Sequence, residues 1–283
     1  MSETTLHQRS VTVNGVSVPI LEGGLESSDE AVVFVHGNPG SGRDWELLAP
    51  EVSKFARAIA PDMPGFGRAD KPVDFSYTVQ GYADYLAGLI QELGIRRVHL
   101  VLHDFGGPWG LAWAATHPDA FASVVLIDTG VLLGYRWHYL ARIWRMPIIG
   151  ELFQMTATRP AFHLLLKHGN PRGLPREFVD RMYDDYDTGT RRAILKLYRS
   201  TDRPDEGAKL LAAALHPSHR PALVVWGEHD PYIPAEFALR QREVFPDAEI
   251  VMLPESGHWP FADDPSGVSA AVIPFLQRLI ADR

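Results

Sequence analysis

Residues 102–107 read LHDFGG and stand where the pattern of the sequence changes. The run that leads into them, VHLVL at 98–102, is short and wholly apolar, as expected of a buried parallel strand. The segment that follows, at about 107–117, indicates a helix. Asp104 is therefore predicted to lie on a tight turn from strand to helix, or more simply to be the N-cap of that helix. Such a turn needs small residues nearby, and Leu102 is larger than is usual at its position.

Strand-like and helix-like segments alternate on both sides of this turn. Further apolar runs predict strands at 31–35, 56–60, 122–127, 222–226 and 249–253. An alternating segment at 10–21, centred on Asn-Gly, predicts a β-hairpin. Helices are predicted at 45–55, 77–93 and 234–244, and after residue 265. This order predicts an α/β fold class with a mostly parallel central sheet flanked by helices.

The alternation stops at residues 131–215, where no strand-like run occurs. This stretch is predicted to be helical and is rich in arginine and aromatic residues. Pro217 and Pro221 mark the return to the earlier pattern. We therefore predict one α/β core domain formed by residues 1–130 and 216–283, with a helical insertion at 131–215 rather than a second tandem domain.

The composition excludes several kinds of protein. The 283 residues include no cysteine, which rules out a disulfide scaffold, a thiolate metal site and a cysteine nucleophile. Lys and Arg total 27 against 35 Asp and Glu, and the net charge of −8 argues against nucleic acid as a partner. No stretch reaches the ~18 apolar residues of a membrane span, and residues 1–15 lack the apolar stretch of a signal peptide. A cytoplasmic protein with no membrane partner is expected.

Three loops after other predicted strands carry residues that could act together with Asp104. HGNPG at 36–40 is a glycine-rich loop, which can point backbone N–H groups into the crevice where ligands bind. WGEHDP at 226–231 offers a carboxylate, and SGHWP at 256–260 offers a histidine that such a carboxylate could orient. The order along the chain is nucleophile, acid, histidine, which is the order expected on one particular fold.

These segments, with one further motif, resemble the α/β-hydrolase superfamily over nearly the whole chain. The motifs that carry the resemblance are, in family order, HGNPG (36–40), PDMPGFGRADKP (61–72), HDFGG (103–107), WGEHDPYIP (226–234) and SGHWPFADDP (256–265). The resemblance implies an α/β-hydrolase fold in which residues 131–215 form the helical cap domain. Most members carry serine at the nucleophile position. This chain carries Asp104, and it therefore resembles the aspartate-nucleophile branch of haloalkane dehalogenases and epoxide hydrolases.

The resemblance implies a hydrolysis in two steps. A carboxylate needs no base to activate it, so Asp104 is expected to attack carbon and form an ester with the substrate. His258 is then expected to activate a water molecule that attacks this ester, while Asp230 fixes the tautomer of His258 and supports its charge. The backbone N–H groups of Asn38 and Phe105 are expected to form the oxyanion hole.

A second carboxylate competes for the role of the acid. Asp128 lies 24 positions after Asp104 at the end of a predicted strand, and some members of this branch take their acid from that strand. Relatives whose acid follows the later strand also carry a polar residue here for structural reasons, so Asp230 is the preferred interpretation. His103, beside the nucleophile, is interpreted as part of the scaffold rather than as a base.

A halide leaving group needs N–H donors, commonly an indole and an asparagine amide. Asn38 stands in HGNP at a position where dehalogenases often carry asparagine. The residue after the nucleophile is Phe105, where dehalogenases typically carry tryptophan. Trp137, Trp144 or Trp109 could replace the missing indole, although packing is the simpler interpretation of each.

An epoxide oxygen leaves as an alkoxide and needs an acid nearby, which a tyrosine hydroxyl can supply. Epoxide hydrolases use two cap tyrosines, and Tyr198, in a Tyr-Arg pair 32 positions before Asp230, matches one of them. The window at 149–154, where the second is expected, holds no tyrosine. Tyr135 and Tyr139 lie earlier and would need a gapped cap to serve.

The sequence as a whole favours a hydrolase that opens an epoxide to a diol, with haloalkane dehalogenation as the alternative. Fluoroacetate dehalogenases are a poorer match, because they bind a carboxylate with arginines in the helix after the nucleophile and this chain has none there. A ligand-binding protein of the same fold without turnover is the alternative from another class.

No metal or organic cofactor is implied, and water is the second substrate. His216 and His219 have ligand-like spacing, but no third ligand is evident and they are interpreted as part of a loop. The apolar and aromatic cap predicts a small hydrophobic organic substrate. A monomer or a homodimer is expected.

Overall fold

A computed structural model describes residues 6–281 of the chain. Within that range the strands are β1 (His7–Val13), β2 (Val16–Gly23), β3 (Glu30–Val35), β4 (Arg57–Pro61), β5 (Arg97–His103), β6 (Phe121–Ile127), β7 (Ala222–Gly227) and β8 (Glu249–Leu253). They form one sheet in the order β1-β2-β4-β3-β5-β6-β7-β8. β2 is antiparallel to both β1 and β4, and all other neighbouring pairs are parallel. The predicted mostly parallel sheet is confirmed.

The predicted hairpin joins β1 to β2. Asn14 and Gly15 both have positive φ values, of 51° and 79°. Two consecutive left-handed residues form a turn whose twist matches that of the flanking strands. The hairpin prediction is confirmed, with Val13 paired to Val16 across the turn.

Helices flank the sheet. Those outside the stretch between β6 and β7 are α1 (Ala49–Ser53), α2 (Val79–Glu92), α3 (Gly106–Thr116), α10 (Glu236–Arg240), α11 (Pro260–Asp263) and α12 (Pro265–Ala281). Short 3-10 turns lie at Gly42–Trp45, His216–Ser218 and Gln241–Glu243. None of the helices between residues 6 and 281 combines the length and the apolar character needed to cross a bilayer.

The helix predicted at 45–55 is wrong in its extent. A 3-10 turn at Gly42–Trp45 comes first, and α1 begins only at Ala49. The backbone N–H of Ser41 donates to Asp44 Oδ2 over 3.1 Å, which stabilises the turn as a separate unit. Pro50 has no N–H with which to continue a helical ladder, so it stands in the first turn of a new helix.

Six helices fill the chain between β6 and β7, where the sequence predicts a helical stretch. They are α4 (Tyr139–Arg145), α5 (Ile149–Met155), α6 (Arg159–Lys167), α7 (Arg176–Asp184), α8 (Thr188–Ser200) and α9 (Pro204–Leu215), and we call them the helical insertion. On α8, the side chains of Ala193, Ile194 and Leu197 are fully buried. On α7, Arg181 pairs with Asp44 of the core over 3.1 Å. Burial and this ion pair hold the insertion against the sheet domain.

The loops that carry the quoted motifs meet at one edge of the sheet. β3, β5 and β7 consist largely of buried apolar residues and run parallel to one another. The carboxyl ends of parallel strands lie at the same edge, where ligands of such sheets bind. The segments after β3, β5, β7 and β8 therefore come together there, beneath the helical insertion.

Candidate active site

Asp104 lies on a sharp turn between β5 and α3, as the sequence predicts. Its φ is +47°, a left-handed conformation that L residues rarely adopt. The turn passes so close to β3 that a Cβ atom on Gly106 would stand 2.2 Å from the Val35 carbonyl oxygen. The unusually large Leu102 is accommodated by Gly110, since a Cβ there would stand 2.5 Å from the Leu102 side chain. Glycines thus permit both the turn and its departure from the usual pattern.

The Asp104 carboxylate is held from two sides. The backbone N–H of Asn38 donates to Oδ1 over 2.7 Å, and His258 Nε2 lies 3.6 Å from Oδ2. Burial raises the pKa of Asp104, but the contact with His258 and its positive charge outweigh that effect and hold the pKa at about 2. Asp104 is therefore ionised across the neutral range.

His258 stands between two carboxylates. Its Nδ1–H donates to Asp230 Oδ2 over 2.7 Å, while Nε2 faces Asp104. Burial lowers the pKa of His258, yet the charges of Asp230 and Asp104 outweigh it and raise the pKa to about 10. The structure thus brings together all three residues that the sequence selects as nucleophile, acid and base.

The Asp230 carboxylate is fixed by its own loop. The backbone N–H groups of Tyr232 and Ile233 donate to Oδ1 over 2.7 and 3.0 Å, which leaves Oδ2 for His258. His103 Nε2 bonds the His258 carbonyl oxygen over 2.7 Å, and burial lowers the pKa of His103 to about 3. This neutral histidine supports the loop that carries His258, in agreement with its interpretation as scaffold.

The rival carboxylate Asp128 is engaged elsewhere. Its Oδ1 accepts the backbone N–H of Gly227 over 2.9 Å, at the end of β7. Burial, followed by the charge of Asp230, raises its pKa well above the ordinary value. Asp128 therefore ties β6 to β7, while Asp230 bonds the imidazole.

We expect Asp230→Asn to lower turnover by roughly 10²- to 10⁴-fold, because only this carboxylate fixes the tautomer of His258 and supports its charge. Asp128→Asn keeps an acceptor for Gly227 and leaves the hydrogen bond between Asp230 and His258 in place, so we expect a loss below about tenfold. Steady-state kinetics of the two matched variants measure the difference. The reverse ranking would transfer the role of the acid to Asp128.

Tyr198 on α8 is linked to Asp104 through Asn38. Its hydroxyl accepts a hydrogen bond from Asn38 Nδ2 over 3.3 Å, and its ring contacts those of Phe105, Trp137 and Trp144 at centroid distances of 4.9–5.1 Å. Burial, and then the charge of Asp104, raise the pKa of Tyr198 well above its ordinary value. The hydroxyl therefore keeps its proton in the free enzyme and can donate it to a ligand.

The three tryptophans considered as halide donors differ in burial and in hydrogen bonding. Trp109 is buried in the core, stacked on Tyr82 at 4.0 Å, and lines neither cavity described below. Trp137 donates its Nε1–H to the Thr201 carbonyl oxygen over 3.2 Å. Trp144 is the remaining candidate, since its buried Nε1 has no hydrogen-bond partner among residues 6–281.

Neither tyrosine proposed for the second position supplies a free hydroxyl beside Asp104. Tyr135 donates to the Tyr232 carbonyl oxygen over 2.9 Å. Tyr139 is 44% exposed and borders a depression on the outer surface of α6. Tyr135 is thus bonded to a backbone carbonyl and Tyr139 to the Tyr232 side chain, so neither matches the second ring-opening donor.

His138, between these two tyrosines, is the residue that sequence reasoning missed. It is the N-cap of α4, and its Nδ1 accepts the Ala141 N–H over 3.3 Å. Burial lowers its pKa to about 4, although the nearby Asp104 charge acts in the opposite direction, so the ring is neutral and carries its proton on Nε2. No motif in the sequence marks His138 as a residue of the site, because its position there depends on how α4 packs.

Two cavities extend from Asp104. The α5–α6 cavity has a volume of about 180 Å³ and the α3–α9 cavity about 330 Å³. Both are lined by Asp104, His138 and Tyr198. Within the described range no group of three His, Cys, Asp or Glu side chains could hold a metal ion, and His216 and His219 lie 6.2 Å apart at the end of α9.

Comparison with known proteins places this geometry in context. The sequence pattern of the alpha/beta hydrolase fold matches residues 30–265. A cis-3-alkyl-4-alkyloxetan-2-one decarboxylase of Xanthomonas campestris pv. campestris is 30% identical over 289 residues, which cover 93% of each chain. A 2-hydroxy-6-oxononadienedioate/2-hydroxy-6-oxononatrienedioate hydrolase of Burkholderia vietnamiensis is 28% identical over 302 residues, 98% of this chain and 100% of that one.

A solved structure is similar to this chain along its whole length. Haloalkane dehalogenase DbeA from Bradyrhizobium elkani USDA94 is 25% identical and superposes with a TM-score of 0.85, covering 98% of this chain and 100% of that chain. The matched residues 30–265 begin at β3 and reach the start of α12. They therefore include every loop that contributes to the site.

Proposed function

The chain belongs to the α/β-hydrolase family and is a hydrolase of that fold, and we propose that Asp104 is its nucleophile and an epoxide its substrate. The observation that carries the proposal is the place of the Tyr198 hydroxyl. It is protonated, it is oriented by Asn38 Nδ2, and it lines the same cavities as the Asp104 carboxylate. An epoxide bound there meets a nucleophile and an acid at once.

In the first step, an Asp104 oxygen attacks a ring carbon and the bond from that carbon to the epoxide oxygen breaks. The oxygen takes the Tyr198 proton, which leaves an alcohol, a phenolate and an ester bond to Asp104. Asn38 Nδ2 already donates to the Tyr198 oxygen and stabilises the phenolate. Asn38 N–H stays on Oδ1 of the ester, which points to Oδ2 as the attacking oxygen.

Ester formation also changes the base. It removes the negative charge of Asp104, one of the two carboxylates that raise the pKa of His258. The pKa of His258 then falls, and the Tyr198 phenolate is available to accept the proton that the imidazole gives up. His258 is thereby ready as a base only after the nucleophile has reacted.

In the second step, His258 takes a proton from water, and the oxygen attacks the ester carbonyl carbon. The N–H groups of Asn38 and Phe105 stabilise the oxyanion. Collapse breaks the bond between the carboxyl carbon and Oδ2, the Asp104 oxygen bonded to the substrate carbon, and Oδ2 takes the proton from His258 and leaves as the second hydroxyl of the diol. The other proton of the water passes from the new Asp104 carboxyl to His258, which restores the Asp104 carboxylate, the His258 imidazolium and the Tyr198 hydroxyl.

Haloalkane dehalogenation is the second candidate, favoured by the free indole of Trp144. Its Nε1 is buried without a partner in the described structure, and Trp144 lines the same cavity as Asn38. An indole N–H and an amide N–H are suitable donors to a halide. The similarity to haloalkane dehalogenase DbeA supports the same alternative.

Tyr198→Phe separates the two chemistries, since it removes one hydroxyl and keeps the ring. With an epoxide, we expect ester formation to slow by roughly 10²-fold or more, because the proton donor is lost. Asn38→Ala is expected to matter less, since the backbone N–H at residue 38 remains. Pre-steady-state rates with an epoxide and a bromoalkane measure both variants. If the leaving group is a halide, we expect Asn38→Ala to slow ester formation strongly and Tyr198→Phe to have almost no effect.

The substrate panel for the unmodified protein contains an epoxide, a bromoalkane and an oxetan-2-one. Diol from an epoxide supports the proposal, and halide from a bromoalkane supports the second candidate. An oxetan-2-one is included because it too has a strained C–O bond that a carboxylate can open, and the Xanthomonas relative is named for that ring. Binding of all three without product would indicate a ligand-binding protein and contradict the proposal.

A further inference from the structure

Two mainly apolar cavities, rather than one, extend from the Asp104 carboxylate. We propose that the substrate is an internal epoxide, with an apolar group on each ring carbon, and that each cavity holds one of these groups. The inference rests on the proposed function and adds the substrate class. It depends on which residues the two cavities share and which they do not.

The shared residues are those that would hold the reacting ring. Asp104, Tyr198 and His138 line both cavities, and they supply the nucleophile, the proton donor and a neutral imidazole. A ligand that fills both cavities must therefore place its middle, not its end, at the nucleophile. The reactive ring then lies within the chain of the substrate.

The α5–α6 cavity is lined by apolar side chains of the helical insertion. They include Leu140, Trp144, Phe153, Phe162, Leu165 and Leu166. This cavity also contains His258 and Asn38, so the water that His258 activates must be bound here. At about 180 Å³ it is smaller than the usual range of about 300–1,000 Å³ for a ligand pocket.

The α3–α9 cavity contains no part of the base. Its apolar lining comes from α3, α9, the start of α2 and the chain after β6, and includes Val79, Pro108, Ala112, Val131, Leu132 and Leu211. Gln80 and Arg203 also line it and are exposed, so they mark its end toward solvent. Delivery of water to His258 does not require an apolar cavity on this side. Its volume of about 330 Å³ is instead suited to an alkyl or aryl group.

Two isomers of one composition test the inference. cis-4,5-Epoxyoctane carries a propyl group on each ring carbon, whereas 1,2-epoxyoctane carries a single hexyl chain. We expect kcat/KM to be roughly tenfold higher for the internal epoxide, an effect equal to burying about two further methylene groups. A preference for the terminal isomer would overturn the inference.

Two matched variants assign the groups to the cavities. Ala112→Leu narrows the α3–α9 cavity, and Ala157→Leu narrows the α5–α6 cavity. Each variant is expected to lower kcat/KM for cis-4,5-epoxyoctane by roughly tenfold. The single chain of 1,2-epoxyoctane occupies one cavity, so only the variant that narrows that cavity should lower its kcat/KM. The thermal unfolding midpoint of each variant, compared with that of the unmodified protein, reports that the variant is folded.

The outcomes distinguish this inference from the proposed function. If terminal epoxides give diol but Ala112→Leu is silent with every substrate, the α3–α9 cavity binds no part of the substrate and the inference is overturned alone. If no epoxide is opened, methyloxirane included, the proposed function is wrong and the inference falls with it.

Discussion

Asp104→Asn is expected to abolish diol formation, with a loss of roughly 10⁴-fold or more. The variant keeps the shape of the side chain and removes the charge that attacks carbon. Asparagine also tolerates the left-handed backbone at this position better than most residues, so the turn between β5 and α3 should persist. Steady-state assays with an epoxide, together with a thermal unfolding midpoint, measure activity and folding separately.

The control for this loss is Asp104→Ala, which lacks any side-chain oxygen. Both variants should fail to form an adduct when incubated with substrate and examined by intact-protein mass spectrometry. A covalent adduct in either of them would place the nucleophile at another residue and contradict the mechanism, whatever the turnover.

His258→Gln is expected to stop the reaction at the ester. Attack of Asp104 on carbon does not use the imidazole, whereas hydrolysis of the ester needs a base for water. We expect turnover to fall by roughly 10²- to 10⁴-fold and the protein to gain the mass of one substrate molecule. Peptide mapping should place that mass on the segment that contains Asp104.

A His103 variant provides the comparison for this result. His103 stacks near the His258 ring at 4.8 Å and supports its loop, but it does not contact a reacting atom. His103→Gln should therefore not accumulate the ester to the same extent. Unchanged turnover in His258→Gln, or an adduct outside the Asp104 segment, would contradict the two-step mechanism.

The sheet and the position of Asp104 on a turn could be predicted because both follow from local pattern. The apolar run at 98–102 indicates a buried strand, and the glycines after Asp104 favour a tight turn into the next helix. The helix predicted at 45–55 failed because capping by Asp44 and the missing N–H of Pro50 outweigh its apolar spacing. Local hydrogen bonding decides such boundaries.

The choice between the two acids could not be made from spacing. Asp128 and Asp230 both follow strands at the same edge of the sheet, so sequence distance permits either. The decision depends on hydrogen bonds between distant loops, in which Asp128 accepts Gly227 N–H and Asp230 accepts His258 Nδ1–H. His138 was missed for the same reason, because the packing of α4 alone brings it to the cavities.

The hydrogen bond from Asn38 N–H to Oδ1 makes the two oxygens of the nucleophile unequal. In the mechanism proposed, Oδ2 forms the bond to the substrate, and water attacks the carboxyl carbon rather than the substrate carbon. The oxygen atom added to each product molecule is therefore one that the protein already carried. The oxygen of the attacking water takes its place on the carboxyl carbon of Asp104. The isotopic composition of the carboxylate therefore records the water present during the preceding turnover.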